Sequence, residues 1–348
     1  MDSRVQRLAS VVRAHLREWD QTPAYVELAI FGSEDALAVA ESINAFCLRN
    51  LGAAAEMALF YQSSVGSVAG VLLSDGRRVV IKAHQPEVKE QRLAEIARIQ
   101  SHLHNNDVFA PEIMAGPAPL GRGHGIAERY VSIGGTADAH RPKIRGALAR
   151  GLRAIIATCE PLVTSTSLPP GLLTASTLSL WPKPHSKLFD FEATSRGAEW
   201  IDAIARQARK RIVPAGIRVI GHCDWRQEHV RFLEDEPVAA FDWDSLCCEF
   251  EPALLGSVAH GFCADWSLPE HKQAPTLREA DAFIRDYEAA RGYPFSHQER
   301  GVCAASFAYA CAYTARCSHA LGRDEREKAG TFQHLVWTER SNLLDLSA

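Results

Sequence analysis

Asp75-Gly76 stands between two short runs of β-type residues, Val68 to Leu73 and Arg78 to Ala83. An Asp-Gly pair flanked in this way is the strongest short-range signal for a hairpin, because both residues tolerate the positive φ of a tight turn. A further run from Met57 to Tyr61 precedes it, so residues 54–85 read as an antiparallel, β-rich piece. On either side the period changes. Val5, Leu8, Val11, Val12, Leu16 and Trp19 recur at helical spacing behind a candidate cap at Ser3, and a second helix is expected from Glu34 to Leu51, opened by Ser33 and closed by Gly52. Downstream, helices are expected over 86–105, 142–158, 196–212, 277–291 and 298–320, with a loop between Pro161 and Pro184. A short strand is read at Ile126 to Val131, and one strand–loop–strand near 219–244 interrupts the otherwise helical remainder. Helices, then an antiparallel sheet, then a helical body is an α+β order that suits a bilobal molecule and argues against βαβ alternation. At 348 residues with 47% apolar content, two or three domains fit. We place them at 1–53, 54–130 and 131–348.

Several function classes are excluded by charge and patterning. A formal net charge of −4 and the lack of a lysine-arginine run leave no footprint for nucleic acid. No apolar run approaches the roughly 18 residues of a membrane span, and the start carries no secretion signal, so a cytoplasmic protein, monomer or homodimer, is expected. The nine cysteines are an odd count in a large chain without paired spacing, which reads as free, mostly buried thiols and not as disulfides or a zinc site.

The chemistry concentrates in Val219-Ile220-Gly221-His222-Cys223-Asp224-Trp225-Arg226-Gln227-Glu228-His229-Val230-Arg231-Phe232 and in Val238-Ala239-Ala240-Phe241-Asp242-Trp243-Asp244. Asp224 follows an apolar run, His229 comes five residues later, and a turn at Glu234-Asp235-Glu236-Pro237 returns the chain to Asp242. That hairpin brings both carboxylates to one end, where like charges repel unless a cation lies between them. Phosphoryl transfer uses such a set: a carboxylate for the hydroxyl proton and ligands for a metal on the nucleotide phosphates.

The two segments resemble the aminoglycoside phosphotransferase family, whose motif reads H-G-D-x-x-x-x-N followed by an I-D-W-like segment. His222, Asp224 and Asp242-Trp243 match; Cys223 replaces Gly, and His229 stands at the Asn. The resemblance implies a protein-kinase-like fold, with a small antiparallel β-rich N-lobe, a larger helical C-lobe and here an added N-terminal helical segment. It implies Asp224 as catalytic base, Asp242 and His229 as metal ligands, and ATP or GTP with Mg²⁺ as cofactors. An imidazole at the Asn position makes Mn²⁺ a candidate too, with Glu228 as the alternative ligand. His222 is expected to buttress the loop.

Lys82 lies inside the apolar run Val79-Val80-Ile81-Lys82, where burial is costly without an anionic partner. Glu90 and Glu95 on the following helix are candidates, and the resemblance favours Glu95 as the group that holds Lys82 on the nucleotide phosphates. The small-residue connection Gln62-Ser63-Ser64-Val65-Gly66-Ser67 would cradle phosphates, with Ser64, Gly66 and Ser67 as contacts. Backbone groups of Glu128 and Tyr130 would meet the purine. The partner would be a small hydroxylated molecule. Asp244, Glu249, Glu251 and Asp265 suit a polycationic aminoglycoside, whereas Trp266 and neighbouring aromatics suit an apolar antibiotic. A metabolite such as an amino sugar or amino alcohol is a further alternative, as is a catalytically inactive nucleotide- or ligand-binding regulator.

Overall fold

The computed structural model describes residues 3–18, 24–171, 179–184, 186–267 and 272–346. Trp19 and the 172–178 part of the Pro161–Pro184 loop lie outside them. The chain divides into two compact units, one of residues 1–105 with 110–132, the other of 106–109 with 133–348.

The first unit begins with helices α1 (Ser3–Glu18), α2 (Tyr25–Phe31) and α3 (Ala36–Leu51). Strands β1 (Ala55–Ser63), β2 (Ser67–Leu73) and β3 (Arg78–Ala83), helix α4 (Glu90–Asn105), then β4 (Ile113–Leu120) and β5 (Gly123–Arg129) follow. The strands form one antiparallel sheet in the order β1-β2-β3-β5-β4. The Asp75-Gly76 hairpin is present as expected, with Gly76 at φ 88°. Three details of this unit differ from the sequence reading. Asp35, not Ser33, caps α3, its carboxylate accepting from the N–H groups of Leu37 and Ala38, while the Ser33 hydroxyl accepts from Asp35 N. The short helix α2 and strand β4 escaped the periodic pattern; β4 carries Gly116, Pro117 and Pro119, which depress any strand signal. Val5, Leu8 and Val12 of α1 and Ile43 and Phe46 of α3 are buried in one cluster with Val71, Val79 and Ile81 of the sheet. Helices α1, α2 and α3 therefore share a core with the strands that follow them.

The second unit contains α5 (Pro142–Cys159), α6 (Glu199–Arg211), β6 (Arg218–His222), β7 (Val230–Leu233), β8 (Glu236–Ala240), β9 (Leu246–Phe250), α7 (Glu251–Gly261), α8 (Leu277–Arg291), α9 (His297–Ala320) and α10 (Phe332–Thr338). Helix α9 is rich in alanine and cysteine on every face, which is the pattern of a helix buried all round, and α6, α7 and α10 pack on it. Capping boxes at Thr276/Glu279 and Ser296/Glu299 fix where α8 and α9 start. Two antiparallel pairs lie among these helices: β7 with β8, and β6 with β9. The β7–β8 turn has Glu234 and Asp235 at φ 53° and 68°, so both central residues are left-handed, as the twist of a two-residue hairpin demands. The sequence shows β9 and α7 poorly, because both are buried through and carry no alternation. All nine cysteines are free, and all but Cys223 are buried. Among the described residues no helix is long and apolar enough to cross a membrane.

Candidate active site

In the second unit, β6 ends in His222, which is fully buried. Its Nε2–H donates to the Phe241 carbonyl at 3.0 Å, and its Nδ1 accepts from the Asp224 N–H at 3.3 Å. Burial holds its pKa below the ordinary histidine value, so the ring stays neutral and its two nitrogens tie the loop after β6 to the residue before Asp242. The rings of Trp225 and Trp243 flank it edge-on. Three more bonds fasten the loop: Trp225 Nε1 to Leu148 O at 2.9 Å, Gln227 N to Phe262 O at 2.9 Å, and Ala139 N to Gln227 Oε1 at 2.6 Å.

On this frame stand five polar side chains: Asp224, Arg226, Glu228, His229 and Asp242. Arg226 Nη1 is 2.6 Å from Asp224 Oδ1, Nε is 2.9 Å from Glu228 Oε2, and Nη2 is 3.0 Å from His229 Nε2. His229 Nδ1 lies 3.0 Å from the main-chain oxygen of Asp224. Asp242 adopts a left-handed backbone, φ 61° and ψ 41°, an uncommon state for a residue with a side chain and a frequent one at functional sites. Its Oδ2 accepts from the Ser245 hydroxyl at 3.1 Å, and its carbonyl from Ser245 N at 3.0 Å. One ligand-type atom from each of Asp224, His229 and Asp242 falls within 4.8 Å of the others. His229 Nδ1 is 3.8 Å from Asp224 Oδ2 and 4.0 Å from Asp242 Oδ2. The spacing of the two carboxylates along the sequence thus translates into proximity. Arg226 was not singled out in the sequence, although an arginine two residues beyond a candidate base was the available signal.

The residues expected to line an acceptor site have varied fates. Trp266 is 45% exposed, with the Arg226 guanidinium 5.9 Å from its ring centre. Glu249 is buried on β9 and accepts from Phe250 N at 2.7 Å. Glu251 is buried against Arg291 at 3.0 Å and Tyr287 Oη at 2.6 Å, and buried Asp265 takes the N–H of Ser267. A carboxylate sealed in this way cannot line a polycation site, so of the four carboxylates expected for an aminoglycoside only Asp244 is not buried, being half-buried two residues after Asp242.

In the first unit, Lys82 is buried in β3 with Nζ 3.2 Å from Glu128 Oε1 on β5. Gln100 of α4 donates to the same oxygen at 3.0 Å and to Pro111 O at 3.1 Å. Glu95 accepts from Arg98 at 2.8 and 2.9 Å. Glu128 was expected to act through its backbone, but it sits inside the sheet between Val80 and Ile113, and its carboxylate is what meets Lys82. The N–H of Tyr130, expected to face a purine, donates to Arg78 O at 3.1 Å. The β1–β2 connection is a tight turn of Ser64, Val65 and Gly66. Ser64 N bonds Gly66 O at 3.0 Å, and a Cβ on Gly66 would lie 2.8 Å from Ala83 O, so only glycine fits. Ser67, expected in that loop, is buried at the start of β2, hydrogen-bonded to Tyr61. The helices hold this turn from behind: the Tyr25 hydroxyl donates to Ser64 O at 3.1 Å, and His15 Nε2 accepts from Ser63 N at 3.1 Å.

Residues 67–295 match the model of a phosphotransferase enzyme family. Solved structures share the fold. Macrolide 2′-phosphotransferase from Brachybacterium faecium superposes with a TM-score of 0.52 at 14% identity, over 84% of this chain and 98% of that one. A spectinomycin phosphotransferase in complex with ADP and spectinomycin gives 0.52 at 15% identity, over 88% and 92%. An aminoglycoside phosphotransferase from Alicyclobacillus acidocaldarius gives 0.51 at 11% identity, over 83% and 91%. No curated protein matches.

Proposed function

The chain belongs to the phosphotransferase enzyme family, and from that premise we propose that it moves the γ-phosphoryl group of ATP or GTP to a hydroxyl of a small molecule. The observation that carries this reading is the asymmetric environment of Asp224. Its Oδ1 is taken by Arg226 at 2.6 Å, which leaves Oδ2 as the oxygen that accepts the proton of the acceptor hydroxyl. The buried His222 and the pinned loop keep that oxygen in place, and positioning of this kind is the main source of rate in phosphoryl transfer. Asp242 fits Mg²⁺ or Mn²⁺, since it offers a carboxylate that is 39% exposed on a backbone fixed by Ser245. When bound, the cation neutralises charge on the nucleotide phosphates. In the first unit the buried Lys82, paired with Glu128, which Gln100 also meets, is the positive group we assign to nucleotide phosphates.

The acceptor reading follows from the sealed carboxylates. With Glu249, Glu251 and Asp265 committed internally, a neutral or weakly charged hydroxylated molecule with an apolar face, able to lie on Trp266, fits better than a polycation. The macrolide acceptor named for one fold relative is of that type. A screen of ADP release over macrolides, aminoglycosides, amino sugars and amino alcohols tests both levels. Turnover restricted to aminoglycosides would overturn the acceptor class. Nucleotide binding with no ADP release for any acceptor would favour the inactive regulator.

A further inference from the structure

His229 stands where the family motif carries a metal-binding Asn, but the geometry gives it another task. A guanidinium offers only N–H donors and a main-chain carbonyl only accepts. The 3.0 Å contact from Arg226 Nη2 therefore makes His229 Nε2 the acceptor, and the 3.0 Å contact to Asp224 O places the ring proton on Nδ1. A neutral imidazole has one lone pair, and Arg226 occupies it. Coordination needs that same pair, so His229 is closed to a cation while Arg226 keeps its place.

Arg226 is held on three sides, by Asp224 Oδ1, Glu228 Oε2 and His229 Nε2, and its side chain is only 16% exposed. A planar fork bound at three acceptors loses little further freedom and carries a permanent charge. Fixed positive charge beside the base is what a phosphoryl transfer site otherwise obtains from a second divalent cation or an arginine finger.

We propose, building on the phosphotransferase reading of this site, that its divalent cation is held through oxygen alone, with Asp242 as the protein ligand, and that Arg226, oriented by His229, takes the place of a second cation. His229 is then a positioning residue and Arg226 the charge it positions. An oxygen-only site suits Mg²⁺ as well as Mn²⁺, whereas an imidazole ligand would favour Mn²⁺.

The test does not use turnover. The protein is loaded with Mn²⁺ and methylenediphosphonate, a nitrogen-free mimic of a nucleotide diphosphate, and pulsed electron paramagnetic resonance reads any nitrogen bound to the metal. The expected result is bound Mn²⁺ without imidazole nitrogen coupling, and binding about tenfold or more weaker in Asp242→Asn. Nitrogen NMR of the unaltered protein should report His229 with Nδ1 protonated and Nε2 bare. Imidazole coupling that vanishes in His229→Gln, a protonated Nε2, or failure to bind Mn²⁺ would each overturn the proposal. Because these readouts need no acceptor, their failure leaves the phosphotransfer reading standing, and a failed acceptor screen leaves them valid.

Discussion

Lys82 Nζ and Glu128 Oε1 meet at 3.2 Å across neighbouring strands, one diagonal step out of register, since Lys82 itself faces Ile126 and Glu128 faces Val80. Both are almost fully buried. Breaking such a buried pair by removing one partner typically costs about 3–5 kcal/mol. Glu128→Gln should therefore lower the melting temperature markedly, whereas the exposed ion pair Arg150–Glu236 can be deleted with little change. Thermal unfolding of the two variants side by side decides it. Lys82→Ala should raise the nucleotide KM and lower kcat; unchanged nucleotide affinity in a folded Lys82→Ala protein removes Lys82 from the phosphate site.

Asp224→Ala should lower kcat by about 10²–10⁴ while nucleotide affinity stays near that of the parent, because the base meets the acceptor and not the nucleotide. Single-turnover rates and nucleotide titration on the same preparation separate the two effects. Near-parental turnover on a verified acceptor would sink the assignment.

Arg226→Ala should cost about 10² or more in kcat. Added methylguanidine should recover part of that loss, since the empty place is lined by two carboxylates and a ring nitrogen. Arg226→Lys should stay slow, because one ammonium cannot span three acceptors arranged for a fork. Equal activity of the lysine and arginine enzymes would show that charge alone matters here.

His140 and Glu279 give a pH signature in stability. Hydrogen bonding to the Cys263 sulfur and to Glu279 carries His140 to about 11 from 6.5, so its stabilising contribution is full below pH 6.5 and fades as pH rises toward 11. Burial pushes the Glu279 carboxyl up, but hydrogen bonds from His140 and Thr276 outweigh it and bring it from 4.5 to about 2, so its contribution is full above pH 4.5 and fades as pH falls toward 2. The melting-temperature loss in His140→Gln should thus be greatest between pH 4.5 and 6.5 and shrink on both sides. A loss that does not vary with pH would mean that the contact acts by packing alone.

Much of the fold was legible because it rests on local pattern. Asp75-Gly76 marks its hairpin by turn chemistry, α5 and α8 declare themselves by period, and Ser296 with Glu299 marks where α9 starts. The loop from His222 to Asp242 was legible because its chemistry is written in consecutive residues. What stayed hidden is non-local. Glu128 pairs with Lys82 only because β5 lies beside β3, and no nearest-neighbour rule selects it over Glu95. Glu249 and Glu251 look like surface carboxylates until β9 and α7 are seen to be buried through. The engagement of His229 by Arg226 depends on a lone pair, which spacing cannot reveal.

The grip of the N-terminal helices on the sheet has a practical side. The family match begins at residue 67, after β1 has ended. An expression clone trimmed to that match would discard Val5, Leu8, Val12, Ile43 and Phe46, and would leave Val71, Val79 and Ile81 facing water with no covering layer. Such a fragment is expected to aggregate, and the Ser64–Gly66 turn would lose the hydroxyl of Tyr25 that fastens it. A family boundary is drawn where sequences stop resembling one another, and a folding unit ends where burial stops; in this protein the first line cuts through the middle of the second.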